Sequence, residues 1–219
     1  MLLLTAGLLL VVTVTGCRSS FEISDRPISF SEQRIEGTRQ YISDRYNLDV
    51  DEITIVPQII VLHWTAIDDF EATFKVFDSE TLGARPQLTG AGNVNVAAHF
   101  LVDRDGSVFR LMPETWMGRH TIGLNYSAIG IENVGGADGE EDLTRAQERA
   151  NIELVRYLKN KYPTIDYLIG HYEYRKFEGH PLWLEVDDGY RTVKDDPGPR
   201  FMSAVRSGVA DLKLMGPPE

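Results

Sequence analysis

The sequence predicts a single α/β domain in which helices flank both faces of a central mixed β-sheet. Short apolar runs rich in β-branched residues alternate with segments of helical periodicity, as in sheets whose strands are separated by helices. An Asp-Gly pair at 105–106 lies between two strand-like runs, which indicates a hairpin and therefore an antiparallel pair within the sheet. The length of 219 residues fits one domain with room for a hydrophobic core.

The first predicted elements are a helix, a buried strand and a second helix. Ser29 and Glu32 have the spacing of a capping box, and the helical pattern that follows extends to about Tyr46. Residues 58–64 are nearly all apolar and largely β-branched, which is typical of a strand buried on both faces. Acidic residues near the start of 67–77 favour a helix there, because carboxylates stabilise the positive end of a helix.

The middle of the chain is predicted to contain a long loop followed by three strands. Residues 83–95 are rich in Gly, Asn, Pro and Thr, which indicates a loop. The runs 98–102 and 107–111 flank the Asp-Gly turn and form the predicted hairpin. Residues 128–132 form another short apolar strand that ends in a glutamate.

The last predicted elements are a helix, a strand and a terminal helix. Thr144 and Gln147 match a capping box, and the apolar spacing after them predicts a helix that ends at about Tyr162, before a proline. Residues 167–171 form a buried strand that ends in a histidine, and 200–213 form the terminal helix. Ionisable groups therefore end several apolar strands, where α/β sheets usually build their sites.

The composition is that of a soluble globular protein with an acidic surface. Apolar residues make up 42% and charged residues 25% of the chain, so general disorder is excluded. The formal net charge of -11 argues against nucleic acid as a partner, because phosphate binding needs a basic face. We expect the chain to act as a monomer.

The N-terminal 16 residues form an apolar segment with the length of a signal-peptide core. The segment precedes Cys17 and resembles a bacterial lipoprotein signal, in which cleavage before the cysteine leaves its thiol to be lipidated. Residues 17–28 are then a polar tether. Arg18 follows the cysteine where inner-membrane retention usually needs Asp, which favours a lipid anchor in the outer membrane, facing the periplasm. A plain secretory signal and a buried N-terminal segment are the alternatives.

Three residues have the chemistry of a catalytic zinc site. Cys17 is the only cysteine, so a metal must be held by histidine and carboxylate. His63 and His171 each end a buried strand, and Asp196 lies among prolines that restrict its backbone. Two histidines and one carboxylate are a known catalytic zinc set with a fourth position open to water. A histidine taken alone is more often a hydrogen-bonded core or surface residue than a metal ligand.

Five motifs resemble the zinc-dependent N-acetylmuramoyl-L-alanine amidases of the type 2 family. This superfamily also includes phage lysozyme-type amidases and peptidoglycan recognition proteins. The motifs occur in the family's order and lie within residues 58–201. They are Ile60-Val61-Leu62-His63-Trp64-Thr65, the run from Ala97 to Gly106, Ser127-Ala128-Ile129-Gly130-Ile131-Glu132, Ile169-Gly170-His171 and Lys194-Asp195-Asp196-Pro197-Gly198-Pro199.

The resemblance implies a catalytic amidase domain over 29–219 with one zinc ion per chain. His63, His171 and Asp196 take the three ligand positions of the family. Glu132 matches the family's acidic residue near the metal, and Lys194 matches its catalytic lysine. A salt-bridged strand end and an exposed loop cation are the structural alternatives for these last two residues.

The remaining histidines have weaker predicted roles. His120 and Asn125 match a segment that lines the family's substrate groove, so substrate contact and a structural role are both open for them. His99 lies within a strand and is predicted to be structural, and His180 is predicted to lie on a loop surface. Aromatic residues in 172–193 either pack in the interior or form the wall of a groove for glycan or peptide. They are Tyr172, Tyr174, Phe177, Trp183 and Tyr190.

The resemblance implies hydrolysis of the amide between N-acetylmuramic acid and L-alanine in peptidoglycan or its fragments. The alternative from another class is a recognition module that binds cell wall without cutting it. Relatives of that kind lack zinc ligands, whereas the ligand set, the acidic residue and the lysine are all present here. A zinc peptidase that cuts within the stem peptide is a lesser alternative.

Overall fold

The computed structural model describes residues 21–83 and 92–219, which contain a six-stranded sheet of order β1-β4-β3-β5-β2-β6. All neighbouring strands are parallel except β3 and β4, the predicted hairpin. This mixed sheet confirms the predicted α/β class. The strands are β1 (Ile23–Asp25), β2 (Ile59–Trp64), β3 (Phe100–Val102), β4 (Val108–Arg110), β5 (Ala128–Asn133) and β6 (Tyr167–Gly170).

Helices cover both faces of this sheet, as predicted. On one face α3 and α4 pack against the even-numbered residues of β2, which include Ile60 and Leu62. On the opposite face Ile59 and Val61 pack against a 3-10 segment over His171–Phe177 and against neighbouring loops. α1 and α2 belong to two further clusters of buried apolar residues. The helices are α1 (Glu32–Tyr46), α2 (Phe70–Asp78), α3 (Arg145–Lys161) and α4 (Pro199–Gly208).

Strand β2 is the buried centre of the fold. Residues 59–62 are fully buried, and both neighbours of the strand, β5 and β6, run parallel to it. Burial of each such aliphatic side chain contributes roughly 1.5–3 kcal/mol. The strand that carries His63 is therefore held by its own apolar residues, independently of any ligand.

The N-terminal region differs from the prediction in two places. Residues 17–28 were predicted to be a tether, but Ile23–Asp25 form β1 and pair in parallel with β4. This strand is too short to show periodicity, and it is formed by pairing with a partner distant in sequence. The predicted Ser29 cap is wrong as well. Ser31 is the N-cap of α1 and accepts a hydrogen bond from the Arg34 amide, whereas the Ser29 amide donates to Asp78.

The other helix boundaries agree with the prediction to within a few residues. Thr144 and Gln147 form the predicted capping box of α3. α2 begins at Phe70, after the N-cap Asp69. The terminal helix α4 ends at Gly208 and is followed by a short 3-10 turn. Among residues 21–83 and 92–219, none of the helices is long and apolar enough to cross a membrane. The predicted signal peptide and Cys17 lie outside the described residues.

Candidate metal centre and active site

Three parallel strands bring two of the predicted ligands, His63 and His171, and the predicted catalytic Glu132 to one edge of the sheet. His63 near the end of β2 is in register with Glu132 near the end of β5, so both side chains lie on the same face. Leu62 pairs with Gly170, the last residue of β6, so His171 follows beside His63. Because side-by-side parallel strands end at the same edge, residues distant in sequence meet there.

Asp196 completes a compact triangle of ligand atoms. The Nδ1 atoms of His63 and His171 lie 2.9 Å apart, and each lies 3.1 Å from Oδ2 of Asp196. All three residues are buried. Asp196 comes from the loop before α4, and its carbonyl accepts a hydrogen bond of 3.0 Å from the Tyr172 amide. The loop that carries the carboxylate is thus attached to the segment that carries His171.

The triangle fits a zinc ion in both distance and donor type. Zinc bonds of about 2.0–2.1 Å in a tetrahedral site place neighbouring ligand atoms roughly 3.3 Å apart, close to the spacing found here. Within the described residues, His63, His171 and Asp196 form a group that could hold a metal ion. Two imidazoles and a carboxylate suit zinc without a thiolate.

The electrostatics keep His63 and Asp196 in the protonation states that metal binding requires. Burial, together with the nearby His171, lowers the pKa of His63 to about 4, so its imidazole is neutral. Burial alone would raise the pKa of Asp196, but its interactions with His171 and His63 lower it well below its ordinary value. A metal ion binds the neutral imidazole and the ionised carboxylate, so no proton needs to be displaced from either group near neutral pH.

Glu132 and Lys194 lie in the same cavity as the triangle. The cavity has a volume of about 470 Å³, and its lining includes the three ligands together with Glu132, Lys194, His120 and Asn125. Glu132 and Lys194 are both half-buried. The positive charge of Lys194 contributes to the lowered pKa of His63. The structure therefore brings the predicted ligands and both predicted catalytic residues into one cavity, and their roles remain predictions.

His120 and Asn125 line this cavity, and both also make hydrogen bonds to other residues of the cavity wall. Nδ1 of His120 lies 3.0 Å from Nε2 of His63 and 2.9 Å from the hydroxyl of Thr121. Burial and the neighbouring histidines lower the pKa of His120 well below its ordinary value. Oδ1 of the buried Asn125 accepts hydrogen bonds from the amides of His120 and Thr121. Substrate contact by His120 and Asn125 stays a prediction.

Of the remaining two histidines, His99 lies directly before β3 rather than within a strand, and His180 is half-buried rather than on the surface. His99 is fully buried, accepts a hydrogen bond from the Gly130 amide through Nδ1 and donates through Nε2 to the Trp116 carbonyl. It is a structural residue, as predicted. His180 contacts Tyr167 and Phe177 in the loop after β6, outside the cavity lining.

Two of the aromatic residues predicted to pack or to form a groove wall lie at or near the cavity, and three further lining residues were not predicted. Of the five aromatic residues in 172–193, Tyr190 lines the cavity. Tyr174 is buried, and its hydroxyl binds the backbone of Thr192, in the loop that leads to Lys194 and Asp196. Tyr41, Arg119 and Thr121 also line the cavity. These residues come from a helix and from loops, and no motif or periodicity in the sequence distinguishes them.

Comparison with known proteins agrees with this geometry. The family model described as N-acetylmuramoyl-L-alanine amidase matches residues 53–199, which is more than half of the chain. No curated protein sequence gives a match.

Solved structures share the fold at low identity. The amidase LysC from Clostridium intestinale is 21% identical, with a TM-score of 0.54 over 86% of this chain and 97% of that one. AmpDh3 from Pseudomonas aeruginosa is 20% identical, with a TM-score of 0.50 over 74% of this chain and 63% of that one. Bumblebee PGRP-SA is 17% identical, with a TM-score of 0.50 over 84% of this chain and 93% of that one. At these identities the likeness concerns the fold alone, whereas the family match covers strands β2 to β6 and the three residues of the triangle. The chain therefore belongs to the N-acetylmuramoyl-L-alanine amidase family.

Proposed function

We propose that this chain hydrolyses the amide between the lactyl group of N-acetylmuramic acid and the L-alanine of the stem peptide. The substrate is peptidoglycan or its fragments, and one zinc ion is held by His63, His171 and Asp196. The observation that carries the proposal is the convergence of these three ligands with Glu132 and Lys194 in one cavity. Family membership supports the choice of bond.

Amide hydrolysis needs an attacking water, a group that accepts its proton and a proton for the leaving nitrogen. A bound zinc ion supplies Lewis acidity, which polarises the carbonyl and lowers the pKa of water. The carboxylate of Glu132 accepts the proton of the attacking water and returns it to the leaving nitrogen. Glu132 is in register with His63 and lines the same cavity as the triangle, which supports this role.

Lys194 acts on the charge that develops on the carbonyl oxygen. Lys194 belongs to the lining of the cavity and lies two residues before the proposed ligand Asp196. A positive charge placed beside the developing oxyanion stabilises the transition state more than the neutral ground state. Glu132 therefore transfers protons, and Lys194 stabilises the developing negative charge.

The main rival is a recognition module that binds cell wall without cutting it. The fold does not decide between them, since both amidases and PGRP-SA share it with this chain. The complete set of ligands with a carboxylate and an ammonium group in one cavity supports catalysis.

We also propose that a lipid on Cys17 anchors the enzyme in the bacterial envelope, on the periplasmic face of the outer membrane. The basis is the apolar segment that ends at this cysteine and the Arg18 that follows. Several acyl chains give stable anchoring, whereas one chain binds marginally. Mass spectrometry of the N-terminal peptide and membrane fractionation test this proposal. An unmodified thiol in a soluble fraction would contradict it.

The activity is tested by digesting purified peptidoglycan and analysing the products by mass spectrometry. We expect stem peptides with free L-alanine amino termini, which disappear when a chelator is added and return with zinc. Glu132→Ala is expected to abolish release, whereas Glu140→Ala removes an exposed carboxylate outside the cavity lining and is expected to leave it unchanged. Wall binding without any release would support the recognition module instead, and new termini within the peptide would support a peptidase.

A further inference from the structure

The two ring nitrogens of His63 face two different partners. Nδ1 belongs to the ligand triangle, 2.9 Å from Nδ1 of His171 and 3.1 Å from Oδ2 of Asp196. Nε2 points away from the triangle and lies 3.0 Å from Nδ1 of His120. The rings of His63 and His120 meet nearly at right angles, with their centroids 5.1 Å apart.

The number of protons on a neutral imidazole fixes the direction of this hydrogen bond. A metal ligand must present a lone pair, so Nδ1 of His63 carries no proton and its single proton lies on Nε2. The partner of Nε2 must therefore be an acceptor. Nδ1 of His120 can accept when the single proton of the His120 ring lies on Nε2. Nε2 of His120 lies 3.4 Å from the carbonyl oxygen of Ala128, which can only accept a hydrogen bond.

We infer that His120 is a positioning residue that holds His63 in the tautomer and orientation needed to bind zinc. The hydrogen bonds run in one direction, from Nε2 of His63 to Nδ1 of His120 and from Nε2 of His120 to the backbone of β5. Histidine ligands commonly donate their second N–H to such a partner, which fixes the ring and raises its basicity. Here a second imidazole takes the place that a carboxylate or a carbonyl usually occupies.

The surroundings of His120 prevent its ring from moving. A Cβ atom added to Gly130 would lie 2.7 Å from Cγ and Nδ1 of His120, so the ring rests directly on the backbone of β5. A Cβ atom on Gly118 would lie 3.0 Å from Cδ2 of the same ring. The backbone amide of His120 donates to Oδ1 of the buried Asn125 at 2.9 Å. The acceptor is therefore built into the wall of the site.

Thr121 is the competing acceptor for the proton of His63. Its hydroxyl lies 3.4 Å from Nε2 of His63, farther than Nδ1 of His120, and 2.9 Å from Nδ1 of His120. Hydrogen bonds weaken as this distance grows, so the shorter contact dominates. Thr121→Val removes the hydroxyl and keeps the shape of the side chain. The variant therefore separates the contribution of the Thr121 hydroxyl from that of the His120 ring.

The inference rests on the proposed function, because it concerns the metal site of the proposed enzyme. It is tested first on the unchanged full chain, labelled with nitrogen-15 and loaded with zinc. We expect a scalar coupling across the hydrogen bond between Nε2 of His63 and Nδ1 of His120, with the His63 proton on Nε2. A His63 proton on Nδ1, or no coupling to His120, overturns the inference.

The second measurement is zinc affinity by competition with a chromophoric chelator. We expect His120→Leu to weaken zinc binding about 10–100-fold, the range typical for the loss of such a partner. His120→Asn places an amide oxygen near the position of Nδ1 and is expected to recover most of the affinity. Thr121→Val is expected to have a smaller effect. His180→Leu, a histidine outside the cavity lining, is the matched control and is expected to have none.

The outcomes separate this inference from the proposed function. If the unchanged chain binds no zinc, the proposed metal site itself is wrong. If the chain binds zinc but His120→Leu changes only KM, His120 contacts substrate and the positioning role is wrong. If His120→Leu fails to fold, the coupling in the unchanged chain and the affinity of His120→Asn still decide.

Discussion

The hydroxyl of Tyr174 makes two hydrogen bonds to the backbone of one residue, Thr192. It donates to the Thr192 carbonyl at 2.6 Å and accepts from the Thr192 amide at 2.8 Å. Tyr174 is buried in the 3-10 segment that begins with the ligand His171, whereas Thr192 lies two residues before Lys194. One phenol thus joins the segment that carries the candidate ligand His171 to the loop that carries Lys194, the proposed catalytic lysine.

Tyr174→Phe is expected to lower kcat and stability while leaving zinc affinity nearly unchanged. Both backbone groups of Thr192 lose their partner, which costs about 1–3 kcal/mol in the free energy of unfolding. Lys194 then samples more positions, so kcat falls by less than the roughly 10²–10³-fold expected when such a charge is removed. Asp196 keeps its own hydrogen bond from Tyr172, which preserves the metal site.

Urea unfolding, steady-state kinetics and chelator competition measure these three quantities. Tyr167→Phe is the matched control, because its hydroxyl contacts His180 outside the cavity lining. A stability loss with unchanged kcat would show that the Thr192 contact does not position Lys194.

Lys194→Gln is expected to lower kcat by about 10²–10³-fold with little change in KM, because the ammonium group acts on charge present only in the transition state. Zinc affinity should be nearly unchanged, since the lysine donates no ligand atom to the triangle. Lys213→Gln removes an exposed lysine outside the cavity lining and serves as the control. A raised KM with unchanged kcat would instead assign Lys194 to ground-state binding.

Zinc is expected to stabilise the folded chain through Asp196. At a free zinc concentration 1,000 times Kd, binding stabilises the native state by about 4 kcal/mol. For a chain of this size, such a gain raises Tm by about 8–16 °C. Asp196→Asn removes the charge that binds the ion and should lose most of this shift. Asp195→Asn changes the neighbouring exposed carboxylate and should keep it. Equal shifts in both variants would exclude Asp196 as a ligand.

The parts of the molecule that the sequence predicted are those with a local signal. The strand that carries His63 is a continuous run of buried β-branched residues, and α3 begins at a capping box that needs no tertiary contact. The three candidate ligands could be singled out because strand ends are visible in the sequence and because the motifs occur in the order of the family.

The features that the sequence did not predict depend on contacts between segments that are distant in the chain. β1 forms against β4, far along the chain, and Ser31 rather than Ser29 caps α1 because the Ser29 amide binds Asp78. The contact between His63 and His120 likewise depends on the absence of a side chain at Gly130, in a third segment. These contacts join residues that are distant in sequence and have no local motif. Periodicity and spacing therefore do not predict them.

His99 is expected to make the stability of the fold depend on pH between about 4 and 6.5. Complete burial lowers its pKa to about 4, and the neutral ring accepts from the Gly130 amide and donates to the Trp116 carbonyl. Below about pH 6.5 the unfolded chain binds a proton at this histidine that the folded chain does not bind. Stability contributed by His99 is therefore complete above this pH and is lost as pH falls toward 4.

The loss amounts to on the order of 3 kcal/mol across that range. It is measured by urea unfolding of the metal-free full chain at several pH values, beside His99→Gln. The variant cannot titrate at this position, so its free energy of unfolding should fall less steeply with acid even if its stability at pH 7.5 is lower. Because His63 and His120 are present in both proteins, the difference between the two slopes isolates His99. Parallel curves for the two proteins would show that the buried ring does not carry this pH dependence.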